Sequence, residues 1–158
     1  MWAPRTIAVI SLVLAGAGAM ATTTSSGSCP VTQPPSPPFI PPAVFAGVPQ
    51  LEEFWYGSAA LWTRLPNTGD FLLPGRVQKV FYWRPGFDGR VEQRPAMVVR
   101  LERLDAPSPR VEITNVTNAF FDGSWAMLVG VVAPSPGCWQ VTAQYQDASL
   151  TFIARASE

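Results

Sequence analysis

Two cysteines and one pair of adjacent carboxylates are the residues of this sequence whose types and spacing could carry chemistry. Histidine is absent from all 158 residues, which removes histidine-assisted nucleophiles, histidine-ligated zinc and the commonest general base at neutral pH. Cys29 and Cys138 alone cannot complete a tetrahedral zinc site. Glu52 and Glu53 are neighbours on an extended segment, so their side chains point apart instead of flanking a glycosidic bond. We therefore predict a protein that is not an enzyme and that holds no metal or cofactor.

The composition narrows the classes of partner. Apolar residues make up 47% of the chain and charged residues 14%, against roughly a quarter charged in an average soluble domain. Eleven basic residues balance eleven acidic ones, whereas a nucleic-acid-binding domain normally carries a basic excess. We predict one domain at this length and no nucleic-acid partner.

The N-terminus predicts export. Met1 to Arg5 carry one positive charge, and residues 7–21 are almost without polar side chains. These fifteen residues are fewer than the about 20 that span a bilayer. Together with the small residues of Ala19-Met20-Ala21 they are typical of a cleaved secretory signal. We predict a signal peptide over residues 1–21, a location in the periplasm, the cell envelope or outside the cell, and no transmembrane span after cleavage.

Cys29 and Cys138 have two competing uses. Export into an oxidising compartment favours a disulfide between them. Such a bond closes a loop of about 110 residues. In the chain-entropy description it stabilises the fold by at most roughly 4–5 kcal/mol, an upper figure because strain in the native state reduces it. Cys29 could instead carry a lipid anchor, although the polar stretch Ser26-Gly27-Ser28 before it is a poor lipidation signal. We favour the disulfide and keep lipidation as the alternative.

A proline-rich arm precedes the domain. Residues 30–49 contain eight prolines in twenty positions, which favours extended polyproline II. The PxxP spacing within it could serve as a docking ligand, but a stiff spacer or an arm lying on the domain is the simpler interpretation. We therefore divide the chain after the signal into an arm, 22–49, and a domain, 50–158.

The rest of the chain predicts β-strands. Val, Trp, Phe, Tyr and Thr are concentrated in short segments that are separated by turn signals such as Pro85-Gly86. The predicted strands are 56–65, 76–84, 96–104, 110–117, 125–132, 138–145 and 149–155. About seven short strands without a helical period indicate an all-β fold, a single antiparallel immunoglobulin-like β-sandwich. Because Cys138 alternates with Trp139 and Val141, its disulfide should fasten the arm across the outer face or an edge of the sandwich.

Aromatic residues are the remaining candidates for binding. Phe54-Trp55-Tyr56 and Phe81-Tyr82-Trp83 are consecutive, so strand alternation sends at least one ring of each triplet outward. Outward rings beside arginines could stack on a sugar or anchor a protein. The candidate binding surface consists of Trp55, Tyr56, Trp62, Tyr82, Trp83 and Arg84. The same rings could instead be core residues or be covered by the proline arm, and both interpretations stay open.

Several short stretches of the sequence are similar to those of a known group of proteins. They are Cys29-Pro30-Val31-Thr32, Trp55-Tyr56-Gly57-Ser58 leading to Leu61-Trp62, Lys79 before Trp83-Arg84, Arg103 to Pro107, Gly137-Cys138-Trp139-Gln140-Val141-Thr142 and Leu150-Thr151-Phe152. Together they resemble a group of small exported bacterial proteins, many of them lipid-anchored. This chain differs from the group by Gln140, where an acidic residue is expected, and by its longer arm. The resemblance implies an envelope-exposed β-sandwich with a disulfide, and it brings no catalytic residues.

The function that these observations favour is binding. We predict an exported β-sandwich that binds an envelope or extracellular protein, or a glycan, through an aromatic and arginine surface. One alternative is a purely structural envelope protein whose aromatic residues are core. The other, by analogy of fold, is an immunoglobulin-like inhibitor of extracellular proteases that presents the loop from Pro85 to Arg90.

Overall fold

Every regular element in the described part of the chain is a β-strand. The computed structural model describes residues 28–42, 52–121 and 123–157, and the predicted signal peptide, 1–21, lies outside them. The strands are β1 (Glu53–Gly57), β2 (Trp62–Pro66), β3 (Asp70–Leu72), β4 (Gln78–Trp83), β5 (Val98–Arg103), β6 (Val111–Ile113), β7 (Val116–Phe121), β8 (Ser124–Val131), β9 (Gly137–Tyr145) and β10 (Ala148–Ala156). Among the described residues there is no helix of the length and apolar character that crossing a membrane requires.

The strands form two five-stranded sheets that pack face to face. The first sheet has the order β1-β2-β4-β8-β7 and the second the order β3-β10-β9-β5-β6. Neighbouring strands are antiparallel except β3 and β10, which are parallel. The all-β sandwich predicted from the strand pattern is confirmed. The described arm residues, 28–42, contain no strand, and residues 43–51 lie outside the described part.

The strand count exceeds the predicted seven because two predicted strands are interrupted. Segment 56–65 contains a tight hairpin between β1 and β2, closed by a hydrogen bond from the Ser58 N–H to the Leu61 carbonyl at 2.9 Å. Gly57 permits this turn, because its φ is 138° and a Cβ there would lie 2.4 Å from the Leu61 oxygen. Segment 110–117 is likewise divided between β6 and β7, and the three-residue β3 was not predicted.

In β9 the residues that face the core alternate as the sequence predicts. In β4 the core also contains Tyr82, which was predicted as part of the binding surface. Trp139 and Val141 point into the core, and Cys138 lies on the opposite face of the same strand. In β4 the inward residues are Val80 and Tyr82. Tyr82 has no exposed area, its hydroxyl has no hydrogen-bond partner among the described residues, and burial raises the pKa of its phenol. Tyr82 therefore belongs to the core and is not part of the candidate binding surface.

The proline arm begins along the edge of β10. A disulfide joins Cys29 to Cys138, as the sequence predicts. The Thr32 N–H donates to the Ile153 carbonyl at 2.9 Å, and the Ile153 N–H donates to Thr32 Oγ1 at 2.8 Å. The arm is thus fastened at an edge and not through the core, which confirms the expectation drawn from the alternation around Cys138.

Other contacts close the same edge of β10. The Tyr56 hydroxyl donates to the Thr151 carbonyl at 3.0 Å, and the Arg155 N–H donates to the Gly69 carbonyl at 2.9 Å. Unpaired edge groups are a template for pairing with other chains, and native proteins cover or interrupt them. Three separate segments therefore supply hydrogen bonds to a strand edge that would otherwise be open.

We expect the double substitution Cys29→Ala and Cys138→Ala to lower the free energy of unfolding by about 2–4 kcal/mol, because the bond constrains the unfolded chain. Urea unfolding at one pH measures this. Thr32→Val is the matched control that keeps the disulfide and removes one side-chain acceptor, and it should cost about 1 kcal/mol. A double variant as stable as the original chain would contradict the constraint.

Candidate functional site

The outer face of the first sheet carries a second apolar cluster, separate from the core. We call it the aromatic cluster, and its rings are Trp55, Trp62, Phe81, Trp83 and Phe121. The rings of Trp55 and Trp83 meet edge to face at 5.3 Å, and those of Phe81 and Phe121 stack at 4.4 Å. Phe39 of the arm packs against the cluster. Strands β1, β2, β4 and β7 and the arm are thus joined on a face that sandwich packing leaves outside.

Arg64 lies within the aromatic cluster. Its guanidinium carbon is 4.9 Å from the ring centre of Phe121, 5.7 Å from that of Trp55 and 5.8 Å from that of Trp83. Its Nε is 3.5 Å from Glu53 Oε2, and 13% of its side chain is exposed. A cation over aromatic faces is favourable, and more so when partly removed from water. Arg64 is not among the candidate residues predicted above, although strand alternation places it on the same face as Trp62.

The structure brings together three of the six candidate residues. Trp55, Trp62 and Trp83 share the outer face, but their exposed fractions are only 7%, 1% and 1%. Tyr56 points to the inner side of β1, where its hydroxyl bonds to β10. Arg84 lies beyond the end of β4. The three tryptophan rings that the sequence predicts for binding are therefore covered by neighbouring side chains. This agrees with the interpretation that they are structural and not with an open binding surface.

Arg84 opens a fourteen-residue loop, 84–97, between β4 and β5. Its guanidinium carbon lies 5.3 Å from the ring centre of Tyr145, and its Nη1 donates to Gln146 Oε1 at 2.7 Å. The Tyr145 ring also meets Phe87 edge to face at 6.3 Å, and the Tyr145 hydroxyl donates to the Glu92 carboxylate. Tyr145 thus contacts the first, fourth and ninth residues of the loop.

A second set of contacts fixes the loop from the side of β7 and β8. The Asn118 amide donates to the Gly89 carbonyl at 2.5 Å, and the Asn118 N–H donates to the Gln93 carbonyl at 3.1 Å. A Cβ on Gly89 would lie 2.4 Å from the Trp125 ring, so this close approach requires glycine. The loop is held on both sides and at several points.

The outer part of this loop is exposed. Asp88 accepts two hydrogen bonds from the Arg90 guanidinium, at 3.0 and 2.9 Å, and this partner holds the pKa of the Asp88 carboxyl below its ordinary value. Val91, the next residue, is 85% exposed. An apolar side chain on a well-anchored turn is the arrangement that protein-binding loops use.

The described part of the chain contains no candidate metal site. No group of three or more His, Cys, Asp or Glu side chains converges there.

The chain matches no protein-family model, no curated protein and no solved structure.

We expect Arg64→Gln to lower the free energy of unfolding by about 1–3 kcal/mol, because it removes the cation from three rings and leaves Glu53 without its ion pair. Near-ultraviolet circular dichroism should change with it, since the tryptophans repack. Arg94→Gln is the control: Arg94 is exposed, has no ion pair among the described residues, and should change stability by less than about 0.5 kcal/mol. Equal effects of the two variants would contradict the role of Arg64.

We expect alkaline pH to destabilise the loop through Tyr145. Burial, followed by the bond to Glu92, raises the pKa of Tyr145 from 10.0 to about 12. Because the pKa is higher in the folded state than in the unfolded chain, the protonated Tyr145 stabilises the fold. This contribution is fully present below pH 10 and is lost as the pH rises toward 12. Urea unfolding across that range measures it. In Tyr145→Phe the loss should be smaller, and an unchanged pH profile would contradict the assignment.

Proposed function

We propose that this protein is an exported, non-enzymatic β-sandwich that binds a protein partner through the loop 84–97. The observation that carries the proposal is an exposed apolar residue, Val91, on a long loop that is fixed from both sides. Loops of this length without secondary structure are uncommon in compact domains and are usually functional. Ordering a loop on binding costs free energy. A loop already held by Tyr145 and Asn118 avoids most of that cost.

The proposal places the contact on the loop and not on the aromatic cluster. Trp62 and Trp83 are almost completely buried, so they offer a partner little area. Arg84 is the member of the predicted surface that remains relevant, because it stacks on Tyr145 and thereby supports the loop. The aromatic residues are then structural, as in the alternative of a purely structural envelope protein, while the loop supplies the binding.

Export is supported by the chemistry of the cysteines. A disulfide between Cys29 and Cys138 persists in oxidising compartments and is rare where thiols are kept reduced. The same bond leaves Cys29 without a thiol for a lipid, which favours a chain not anchored through this residue. We propose the periplasm, the envelope surface or the extracellular space as its location.

Inhibition of an extracellular protease is a more specific form of this function. It is supported by the anchoring of the loop, since Asn118 bonds to the Gly89 carbonyl inside the turn from Asp88 to Arg90 and Tyr145 bonds to Glu92 beyond it. A fixed loop that resists rearrangement is what a substrate-like inhibitor needs. A panel of secreted proteases tests this form directly. If none of them is inhibited, the inhibitor function is wrong, whereas binding of another protein partner is not contradicted.

Binding through the loop is tested with Val91→Asp. The full chain and the variant are immobilised, and proteins retained from the envelope and culture fluid of the producing organism are quantified by mass spectrometry. We expect a partner whose retention falls about tenfold or more, since burying an unpaired charge opposes association.

Val77→Asp is the matched control for that experiment. Val77 is also an exposed valine, but it lies before β4, at the opposite end of that strand from the loop. Retention should therefore be unchanged in this variant. Identical sets of retained proteins for Val91→Asp and the original chain would contradict the proposal.

A further inference from the structure

β7 differs from the other edge strands of the two sheets. β1, β3 and β6 are also edges, and each contains a carboxylate, at Glu53, Asp70 and Glu112 respectively. β7 has six residues, none of which is charged and none of which is proline. Charged residues and prolines are what natural sheets place on an edge to prevent pairing with another chain. β7 lacks this protection.

Only part of the β7 edge is bonded within the chain. The Asn118 N–H points away from β8 and donates to the Gln93 carbonyl at 3.1 Å. Backbone groups alternate in direction along a strand, so the N–H and the carbonyl of Phe120 point away from β8 as well. No described residue accepts from the Phe120 N–H on that side. The edge is therefore open over residues 119–121.

The side chain at the centre of this open stretch is an exposed ring. Phe120 is 63% exposed, and its ring meets that of Trp125, its partner on β8, edge to face at 5.3 Å. Trp125 also packs closely against Gly89 of the loop. Aromatic side chains are enriched in contacts between proteins relative to the rest of the surface. Phe120 thus combines an unused backbone edge with a large apolar surface.

We propose that a second copy of this chain pairs with the open stretch of β7, antiparallel and about a two-fold axis that relates the two Phe120 residues. Each Phe120 N–H then donates to the Phe120 carbonyl of the second copy. The two Phe120 rings lie side by side, each with its own Trp125 beyond it. The pairing joins two five-stranded sheets into one continuous sheet.

The sequence of β7 is complementary to itself. In a two-fold pairing a charged residue faces the same residue or one of its near neighbours, and like charges directly opposite are destabilising. β7 has no charge to create this repulsion. On the other face the same register places Ala119 opposite Phe121 of the second copy, so that a small side chain meets a large one. Both properties favour a second copy over an unrelated strand.

The paired stretch is short, which limits the strength of the dimer. Stable complexes bury about 1,200–2,000 Å², and three residues from each copy supply less. We therefore expect a reversible dimer whose fraction rises between micromolar and millimolar concentration.

Sedimentation equilibrium of the purified chain, as its host exports it, tests the proposal. The mean mass should rise from that of a monomer toward twice that value as the concentration increases. Phe120→Lys removes the ring and places two positive charges opposite each other, so the Kd of the dimer should rise at least about tenfold. Phe120 is exposed, so this variant folds.

Two controls locate the contact. Val77 is also an exposed apolar residue, at 65%, but it lies outside β7, so Val77→Lys should leave the Kd of the dimer unchanged. Amide hydrogen exchange gives the second control. Exchange of the Phe120 N–H should slow as the concentration rises, whereas that of the Asn118 N–H, already bonded to Gln93, should not change.

The proposal is overturned if the chain stays monomeric at millimolar concentration, which would leave the edge to a strand of a different protein. It is also overturned if Phe120→Lys associates as strongly as the original chain, or if exchange of the Phe120 N–H is independent of concentration. These measurements use the purified chain alone. Their outcome therefore does not decide whether the loop 84–97 binds a partner.

Discussion

The middle strand of the first sheet must be covered on both faces, and most of this structure follows from that requirement. β4 carries Val80 and Tyr82 on one face and Phe81 and Trp83 on the other. Packing of the two sheets covers only the first pair. Leaving two large rings in water on the other face would forgo several kcal/mol of burial, at about 25 cal/mol for each Å². The outer cover is therefore as much a part of the fold as the core.

The proline arm covers both a strand edge of the second sheet and part of the outer face of the first sheet. Near Cys29 it bonds to the exposed edge of β10 in the second sheet, and ten residues later Phe39 packs on the aromatic cluster of the first sheet. A chain rich in proline is suited to this path, because it is extended in advance and has few N–H groups to leave unpaired. The disulfide fixes the start of the path, which limits where the remainder can go.

Alternation alone predicts which face a residue occupies only when one face of a strand is polar. In β9 the polar residues Gln140, Thr142 and Gln144 alternate with apolar ones, so the positions of Cys138 and Trp139 follow from the sequence. The second half of β4 is apolar on both faces, and nothing local in Phe81-Tyr82-Trp83 says which rings face the other sheet. The assignment of Tyr82 to a surface was wrong for this reason. The anchors of the loop 84–97 are equally hidden, because Gly89 meets Trp125 and Asn118 only after folding.

The candidate binding loop lies where the chain leaves β4. At its start β4 separates from β2 but stays paired with β8. At its end the chain leaves the sheet at Arg84 and forms the loop that Tyr145 holds. Within a ladder each side chain is fixed by its neighbours and the backbone groups are satisfied, so little is left to meet a ligand. Where the ladder ends, side chains can be positioned by packing and still keep unused hydrogen-bonding capacity. A strand held firmly on both faces can therefore support a rigid binding loop at its end.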